Sequence, residues 1–224
     1  MRRRLLVLVL AAASTLAALG VAHAARRDSP GLTAVSGTND GYDISLTDAS
    51  GAVVQHLDPG TVTIAVHDRS ALHNFHLLGP GVDKATSVPA VGDSTWTVTV
   101  GNGYYRFLCD PHVIAMHGDF TVGTGRRPLT GSVGSSHRLA LRDAFGLPVS
   151  EIVSDRYVIT VKDSSRTDNF RLRGPGVDRA TGVRFRGTVR WTLTLTQGVY
   201  TFSSDGHRSV RRTIRVTGPP AWGT

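Results

Sequence analysis

The sequence predicts an all-β protein made of two tandem β-sandwich domains after an N-terminal signal peptide. Short runs with apolar residues at every second position, and a long internal repeat, support this prediction. Period-two runs rich in Val, Ile, Thr and aromatic residues indicate strands with one buried face. Because many such runs are separated by turn residues, we expect about seven or eight strands in each domain.

The first 24 residues have the organisation of an export signal. Arginines at positions 2–4 precede an apolar run from Leu5 to Ala22, and Ala22-His23-Ala24 is a small-x-small cleavage site. We therefore expect cleavage after Ala24 and an exported protein that is secreted, periplasmic or bound at the cell surface. The alternative is an uncleaved membrane anchor, because the run is long for a signal.

A ten-residue segment recurs 95 positions later in the chain. Leu77–Thr86 reads LLGPGVDKAT and Leu172–Thr181 reads LRGPGVDRAT, and the same offset needs no gap from about residue 37 to 117. A single repetition indicates a duplicated domain, because a solenoid needs more copies. The predicted organisation is a signal peptide over 1–24, an N-terminal linker over 25–36, a first domain over 37–124, a linker over 124–128, a second domain over 129–218 and a tail over 219–224.

The alternating runs of the first copy are separated by Gly- and Pro-containing turns such as Asp58-Pro59-Gly60. No stretch after residue 24 shows a convincing helical period. The runs predicted as strands are Tyr42/Ile44/Leu46, Val62/Ile64/Val66, Trp96/Val98/Val100 and Tyr105/Phe107/Cys109.

Charge is divided unequally between the copies. Residues 25–124 contain five Lys and Arg against ten Asp, whereas residues 125–224 contain 17 Lys and Arg against seven Asp and Glu. Outward-facing arginines of the second copy predict contact with an anionic cell-surface polymer, a membrane surface or an acidic redox partner. A solvated basic face and a contact with the acidic first copy are the alternatives, and no nucleic acid is expected for an exported protein.

The segment from Cys109 to Met116 holds the only cysteine, a histidine at position 112 and the only methionine besides the initiator. Thiolate, imidazole and thioether form a soft ligand set that suits copper, and a lone cysteine is unusual in an exported protein. Each residue taken alone could be a core residue. Strand parity selects His73 over His76 as a distant fourth ligand, because His73 shares its parity with the apolar residues that follow it.

The pairing of His73-Asn74 with a downstream Cys-x-Pro-His and Met resembles the plastocyanin/azurin family of blue copper proteins, the cupredoxins. The resemblance covers about residues 37–123 and implies a Greek-key β-sandwich that transfers electrons with one type 1 copper. It implies Cys109, His112 and Met116 as the other copper ligands beside His73. Asn74 and Pro111 are then expected to support the ligand loops, and a redox partner is expected to dock near His112.

The same offset places other residues at the ligand positions of the second copy. Asp168, Ser204 and His207 stand where the first copy has His73, Cys109 and His112, and Arg211 stands at the position of Met116. We therefore predict a second domain without blue copper. Two remaining ligands near an arginine are not expected to bind another ion.

Three alternatives to electron transfer remain open at this point. The first is a protein for copper delivery or storage, which would use the same ligands. The second is a multicopper oxidase or copper nitrite reductase, both built from cupredoxin domains; because Leu108 and Asp110 flank Cys109 and no His-x-His pair occurs, the sequence predicts that the protein is not an enzyme. The third is a pair of adhesion modules that bind no copper.

Overall fold

The computed structural model of the chain describes residues 31–218. All elements in this range are β-strands or short 3-10 helices, which confirms the predicted all-β class. None of the helices within it is long and apolar enough to cross a membrane. The predicted signal peptide, residues 25–30 of the predicted N-terminal linker and the tail over 219–224 lie outside the described residues.

The first half of the described chain, residues 31–123, contains nine strands and two 3-10 helices, one or two strands more than the sequence predicts. The helices are Thr38–Asp40 and Asp110–His112. The strands are β1 (Gly31–Ser36), β2 (Ile44–Thr47), β3 (His56–Leu57), β4 (Gly60–Asp68), β5 (His76–Gly79), β6 (Val82–Ala85), β7 (Gly92–Val100), β8 (Gly103–Leu108) and β9 (His117–Val122).

The second half, residues 127–218, repeats this arrangement with nine strands and the 3-10 helix Ser135–His137. The strands are β10 (Arg127–Val133), β11 (Leu139–Arg142), β12 (Glu151–Val153), β13 (Asp155–Asp163), β14 (Arg171–Gly174), β15 (Val177–Ala180), β16 (Gly187–Leu195), β17 (Gly198–Ser203) and β18 (Arg211–Thr217).

Each half is a sandwich of one four-stranded and one five-stranded sheet. The first half has the orders β2-β1-β4-β7 and β3-β9-β8-β5-β6, and adding nine to each label gives the orders of the second half. In the first half β1 pairs with β4 and β3 with β9 in parallel, and the other pairs are antiparallel. Apolar residues at alternate positions of a strand, such as Val62, Ile64 and Val66, face a core between the sheets.

Two predicted boundaries are corrected by the strand bounds. Residues 31–36, predicted as linker, form β1, which lies between β2 and β4 in the four-stranded sheet. Likewise β10 begins at Arg127, inside the predicted linker over 124–128. In both cases the strand is recognised by its parallel pairing with a distant strand, β1 with β4 and β10 with β13.

The gap-free repeat also needs correction at both ends. Ser36 pairs with Asp68, and Val133 pairs with Asp163, so the equivalent residues of β1 and β10 are 97 positions apart. Beyond β8 and β17 the offset is 94, because Leu108 pairs with His117 whereas Ser203 pairs with Arg211. The loop after β10 is therefore two residues shorter than its counterpart after β1, and the loop after β17 is one residue shorter than that after β8.

A buried ionic cluster joins the two halves. Arg127 of β10 is only 5% exposed and donates from Nε to Oδ2 of Asp155 in β13, at 2.8 Å. Its Nη1 pairs with Asp119 of β9, and its Nη2 donates to the backbone and side-chain oxygens of Gln55, at 3.0 and 2.9 Å. One guanidinium thus contacts both halves; we call these four residues the Arg127 cluster.

One close approach of backbone to an aromatic ring recurs in both halves. A Cβ on Gly79 would stand 2.1 Å from Cδ1 of the fully buried Tyr105, and one on Gly174 would stand 2.3 Å from Cδ1 of Tyr200. Each tyrosine hydroxyl donates to a proline carbonyl 25 residues earlier, at 3.0 Å. Only glycine allows the ring to lie against the strand at this point.

Candidate metal centre

Three of the four predicted ligands lie in one closed loop between β8 and β9. Cys109 directly follows β8, His112 ends the 3-10 helix, and Met116 directly precedes β9. The amide of Cys109 donates to the carbonyl of Met116 at 3.0 Å, and the amide of Met116 donates to the carbonyl of His112 at 2.8 Å. The backbone therefore fixes the three residues relative to one another.

His73 reaches the same end of the sandwich from the segment that links β4 to β5. It is 1% exposed and precedes the fully buried Phe75, as strand parity predicts. The hydroxyl of Ser70 accepts the amide of Leu72 and donates to Asp40, which orders the turn before His73. Gly37, with φ of 69°, packs against this turn, where a Cβ would stand 2.9 Å from Cδ2 of His73.

The donor atoms of three predicted ligands converge. Nδ1 of His73 lies 3.0 Å from Nδ1 of His112, and Sγ of Cys109 lies 3.6 Å from each of these nitrogens. Met116 is fully buried beside them in sequence, at the end of the loop. Apart from one other cluster, described below, this is the only group of metal-ligating His, Cys, Asp and Glu side chains in residues 31–218.

The separations of these donor atoms fit a small metal ion. An ion about 2.0 Å from each imidazole nitrogen and about 2.3 Å from a thiolate sulfur, at ligand angles of about 100–120°, separates the nitrogens by about 3.1–3.5 Å. The same geometry separates sulfur from nitrogen by about 3.3–3.7 Å. The observed 3.0 and 3.6 Å agree with these values to within about 0.1 Å. Two imidazoles and one thiolate form the donor set of trigonal copper sites, so the residues present fit copper.

Asn74 connects the two ligand segments. Its Nδ2 donates to Oδ2 of Asp110 at 2.7 Å, and its Oδ1 accepts the amide of Asp110 at 2.8 Å. Asn169 makes the same pair of bonds to Asp205 in the second half, which has no cysteine. The asparagine therefore fixes the loop in both halves, whether or not a cysteine precedes the aspartate.

Asp110 and His76 form an ion pair beside this connection. Burial lowers the pKa of His76, but hydrogen bonds to Asp110 and Asp83, each at 2.8 Å, raise it overall. Burial raises the pKa of Asp110, whereas the bonds from His76 and Asn74 bring it below its usual value. His76 thus points away from the donor atoms, as parity predicts, and holds the outer side of the loop.

Tyr42 was missed as a site residue. The alternating pattern assigns it to a strand with a buried face, but it lies in the loop before β2 and is 64% exposed. Its ring packs edge-on against His73, at 5.2 Å between centroids, and against His112, at 4.9 Å. Tyr42 therefore covers both imidazoles on the solvent side.

Two further residues near the loop, Pro111 and His117, lie away from the converging donor atoms. Pro111 is exposed within the 3-10 helix, where its fixed φ suits the first turn. His117 is half-buried; its Nδ1 bonds to the carbonyl of Val113 at 2.8 Å, and its ring packs against Phe145 of the second half. The described contacts of Pro111 and His117 do not include the three converging donor atoms.

The second half differs from the prediction at one ligand position. Because the loop after β17 is one residue shorter, the amide of Ser204 donates to the carbonyl of Val210, so Val210 and not Arg211 is the counterpart of Met116. Arg211 begins β18 with an exposed side chain. Asp168, Ser204 and His207 do stand at the positions predicted for them, and Ser204 Oγ donates to Asp168 at 2.8 Å.

No protein-family model and no curated protein matches the sequence. Among solved structures the chain is similar to a multicopper oxidase at 14% identity and a TM-score of 0.36, with 84% of this chain and 88% of that chain covered. It is also similar to a copper nitrite reductase from Nitrosomonas europaea, at 13% identity and a TM-score of 0.32, with 84% of this chain and 93% of that chain covered. The likeness to reduced rusticyanin has 17% identity and a TM-score of 0.33, and it covers 42% of this chain and 78% of that chain. At these identities a likeness concerns the fold alone, and at these TM-scores it supports no conclusion about the class of this protein.

The prediction that the protein is not an enzyme is wrong as it was argued. A multicopper oxidase and two copper nitrite reductases are among the solved structures to which the chain is similar. The lack of a His-x-His pair excludes only one arrangement of catalytic copper.

Proposed function

We propose that the first half binds one copper ion at a type 1 site and passes single electrons through it. The observation that carries this proposal is the convergence of Nδ1 of His73, Sγ of Cys109 and Nδ1 of His112 within 3.6 Å of one another. Met116, fully buried at the end of the loop, would add a thioether to the residues that hold the ion. Copper at such a site supplies a one-electron redox centre.

The chain contributes a site whose ligands are already in place. The loop from Cys109 to Met116 is closed by its own backbone bonds, and Asn74 ties it to the segment that carries His73. Because these residues are mostly buried and hydrogen-bonded, little rearrangement accompanies a change in the charge of the site. A small rearrangement is what rapid electron transfer requires.

A redox partner would dock at the end of the sandwich near His112. His112 is half-buried, and three large apolar side chains with high exposure, Tyr42, Leu72 and Ile114, belong to the loops that carry or cover the metal ligands. An exposed apolar group of this kind is typical of interaction sites. It would bring a partner against the imidazole edge of His112.

The second half would contact an anionic cell-surface polymer or a membrane surface. Arg171 and Arg173 are ion-paired with aspartates. The exposed arginines of the second half for which no ion pair is found within the described residues are Arg138, Arg142, Arg166, Arg179, Arg184, Arg186, Arg190, Arg208, Arg211, Arg212 and Arg215. We infer that the halves arose by duplication, because their strand orders are identical. We also infer export with cleavage after Ala24, which N-terminal sequencing of the mature protein would test.

The proposed function is tested by adding Cu²⁺ to the purified protein and recording its absorption spectrum. We expect an intense thiolate-to-copper band that saturates at one equivalent and disappears in Cys109→Ser. His67→Gln serves as the matched control, because His67 pairs with Asp93 away from the loop, and it should keep the band. A colourless protein, or a band that persists in Cys109→Ser, would refute the copper assignment.

A second measurement distinguishes electron transfer from other uses of copper. Voltammetry and electron self-exchange of the loaded protein should show a reversible one-electron couple with rapid exchange. Slow exchange together with ready loss of copper to a chelating acceptor would instead indicate delivery or storage. Assays with oxygen and nitrite as electron acceptors belong in the same series, because they report whether electrons reach a substrate.

A further inference from the structure

His137, Asp168 and His207 form a second cluster of ligating side chains, at the end of the second half. Nδ1 of His137 lies 2.8 Å from Oδ2 of Asp168, and Nδ1 of His207 lies 2.7 Å from Oδ1 of the same carboxylate. The ligand atoms all lie within 4.8 Å of one another, and the two imidazole ring centroids are 3.7 Å apart. Both imidazole rings thus point their Nδ1 atoms at the Asp168 carboxylate, one at each oxygen.

The cluster occupies the place that corresponds to the candidate copper site. Asp168 is the counterpart of His73 and His207 the counterpart of His112, since both pairs keep the 95-residue offset. His137 comes from the loop after β10, where the offset is 97, so its counterpart is Asp40. The sequence comparison therefore found two of the three residues, and the shortened loop hid the third.

Asp168 is a buried anion that lacks a permanent countercharge. It is 1% exposed, and both of its ion-pair partners within the described residues are histidines, which carry a full charge only when protonated. The hydroxyl of Ser204 also donates to this carboxylate, at 2.8 Å, and carries no charge. A bound cation would supply a permanent countercharge to the buried carboxylate.

We propose that His137, Asp168 and His207 bind one divalent first-row cation, of the kind represented by Zn²⁺. Imidazole and carboxylate suit divalent ions of intermediate hardness, and without a thiolate the set does not suit Cu(I). In the tetrahedral geometry typical of Zn²⁺, ligand atoms about 2.1 Å from the ion are separated by about 3.4 Å. The carboxylate-to-imidazole distances of 2.7 and 2.8 Å are those of hydrogen bonds, so the ion would replace the Nδ1 protons and move the rings outward by about 0.6–0.7 Å.

The proposed site is open to solvent on one side. Three protein ligands leave a position free in a four-coordinate ion. His137 and His207 line a cleft together with hydroxyl side chains, including that of Ser164, and with Arg166 and Arg186. Water or a small anion could take the free position there. Each imidazole would bind through Nδ1 and keep its proton on Nε2.

The test uses the full chain with the first site removed. In a Cys109→Ser/His112→Gln background, isothermal titration with Zn²⁺ should show one equivalent bound. Ser204 already occupies the position of Cys109 in the second half, so this background is expected to fold, and circular dichroism checks it. Co²⁺ at the same site should give the visible absorption of a low-symmetry four- or five-coordinate ion.

Single substitutions then assign the site. His137→Gln should weaken Zn²⁺ binding by at least about tenfold. Because His137 is exposed, this change should not alter folding. His67→Gln is the control and should bind as the background does. In the wild-type chain His137→Gln should lower the Zn²⁺ stoichiometry by one, so the result does not depend on the double variant. No binding in the background, or equal affinity in His137→Gln, would overturn the proposal, which does not rest on the copper site.

Discussion

Replacement of Arg127 by Met should destabilise the protein strongly, because it removes the buried cation of the Arg127 cluster. The guanidinium is 5% exposed and its partner Asp155 is 1% exposed. Removing one partner of a buried ion pair typically costs about 3–5 kcal/mol, since the other charge stays buried without compensation. Asp119 is more exposed, at 27% of its side chain, and can be rehydrated, so Asp155 dominates the loss.

The size of the expected loss depends on the hydrogen bonds that Asp155 keeps in Arg127→Met. The amide of Arg156 still donates to Oδ1 at 2.6 Å and the hydroxyl of Thr121 to Oδ2 at 3.3 Å. These bonds compensate part of the loss, so we expect the lower end of the range, about 3 kcal/mol. For a protein of this size, that corresponds to a fall in Tm of roughly 6–12 °C.

The assay is urea unfolding followed by tryptophan fluorescence. Arg126→Met is the matched control, because Arg126 is exposed and its one described bond is to the carbonyl of Thr124, at 3.4 Å; it should stay within about 0.5 kcal/mol of wild type. Adding Asp155→Asn to Arg127→Met should restore part of the stability by removing the orphaned charge. An Arg127→Met loss no larger than that of the control, or additive effects in the double variant, would refute this reasoning.

Three further changes probe the sandwich and the site. Gly79→Ala should cost about 1–3 kcal/mol in urea unfolding, since its Cβ would overlap the Tyr105 ring; Gly60→Ala, where the space is open, should be nearly neutral. Asn74→Ala should lower the stability of the metal-free protein by about 1–3 kcal/mol, because the buried Asn74 side chain bonds to Asp110 and to the carbonyl of Thr86, and these bonds are lost; an effect seen only with copper bound would contradict the shared structural role. Met116→Leu should keep the visible copper band and raise the reduction potential in voltammetry, because it removes the axial thioether while changing core volume little; a lower potential would contradict an axial role.

The sequence could anticipate that His73, Cys109 and His112 lie close together, for a physical reason. Cys109, His112 and Met116 lie within one loop, so their proximity follows from the length of chain between them. His73 followed from parity, because it shares the parity of Phe75 and Leu77, the buried apolar residues that follow it. The structure brings the donor atoms of His73, Cys109 and His112 together, while the metal they are proposed to hold stays a prediction.

The parts that were missed depend on loop length and on distant pairing. Periodicity assigned Tyr42 to a strand, but a local pattern does not report where a loop turns back over the ligands. The offset taken from well-matched strands was extended across two loops of different length, which misplaced Arg211 and hid His137. The strand over Gly31–Ser36 was missed because its parallel partner lies about 30 residues further along the chain.

The differences in loop length between the halves have an evolutionary consequence. The strands keep the same order and nearly the same lengths, while the two loops that change length both end at the ligand-bearing edge of the sandwich. An insertion or deletion there alters which side chains meet without disturbing the strands. A change in one loop can therefore change the set of side chains that meet at this edge while the strands stay the same. The cluster with Cys109 and the cluster with Asp168 are two such sets on one framework.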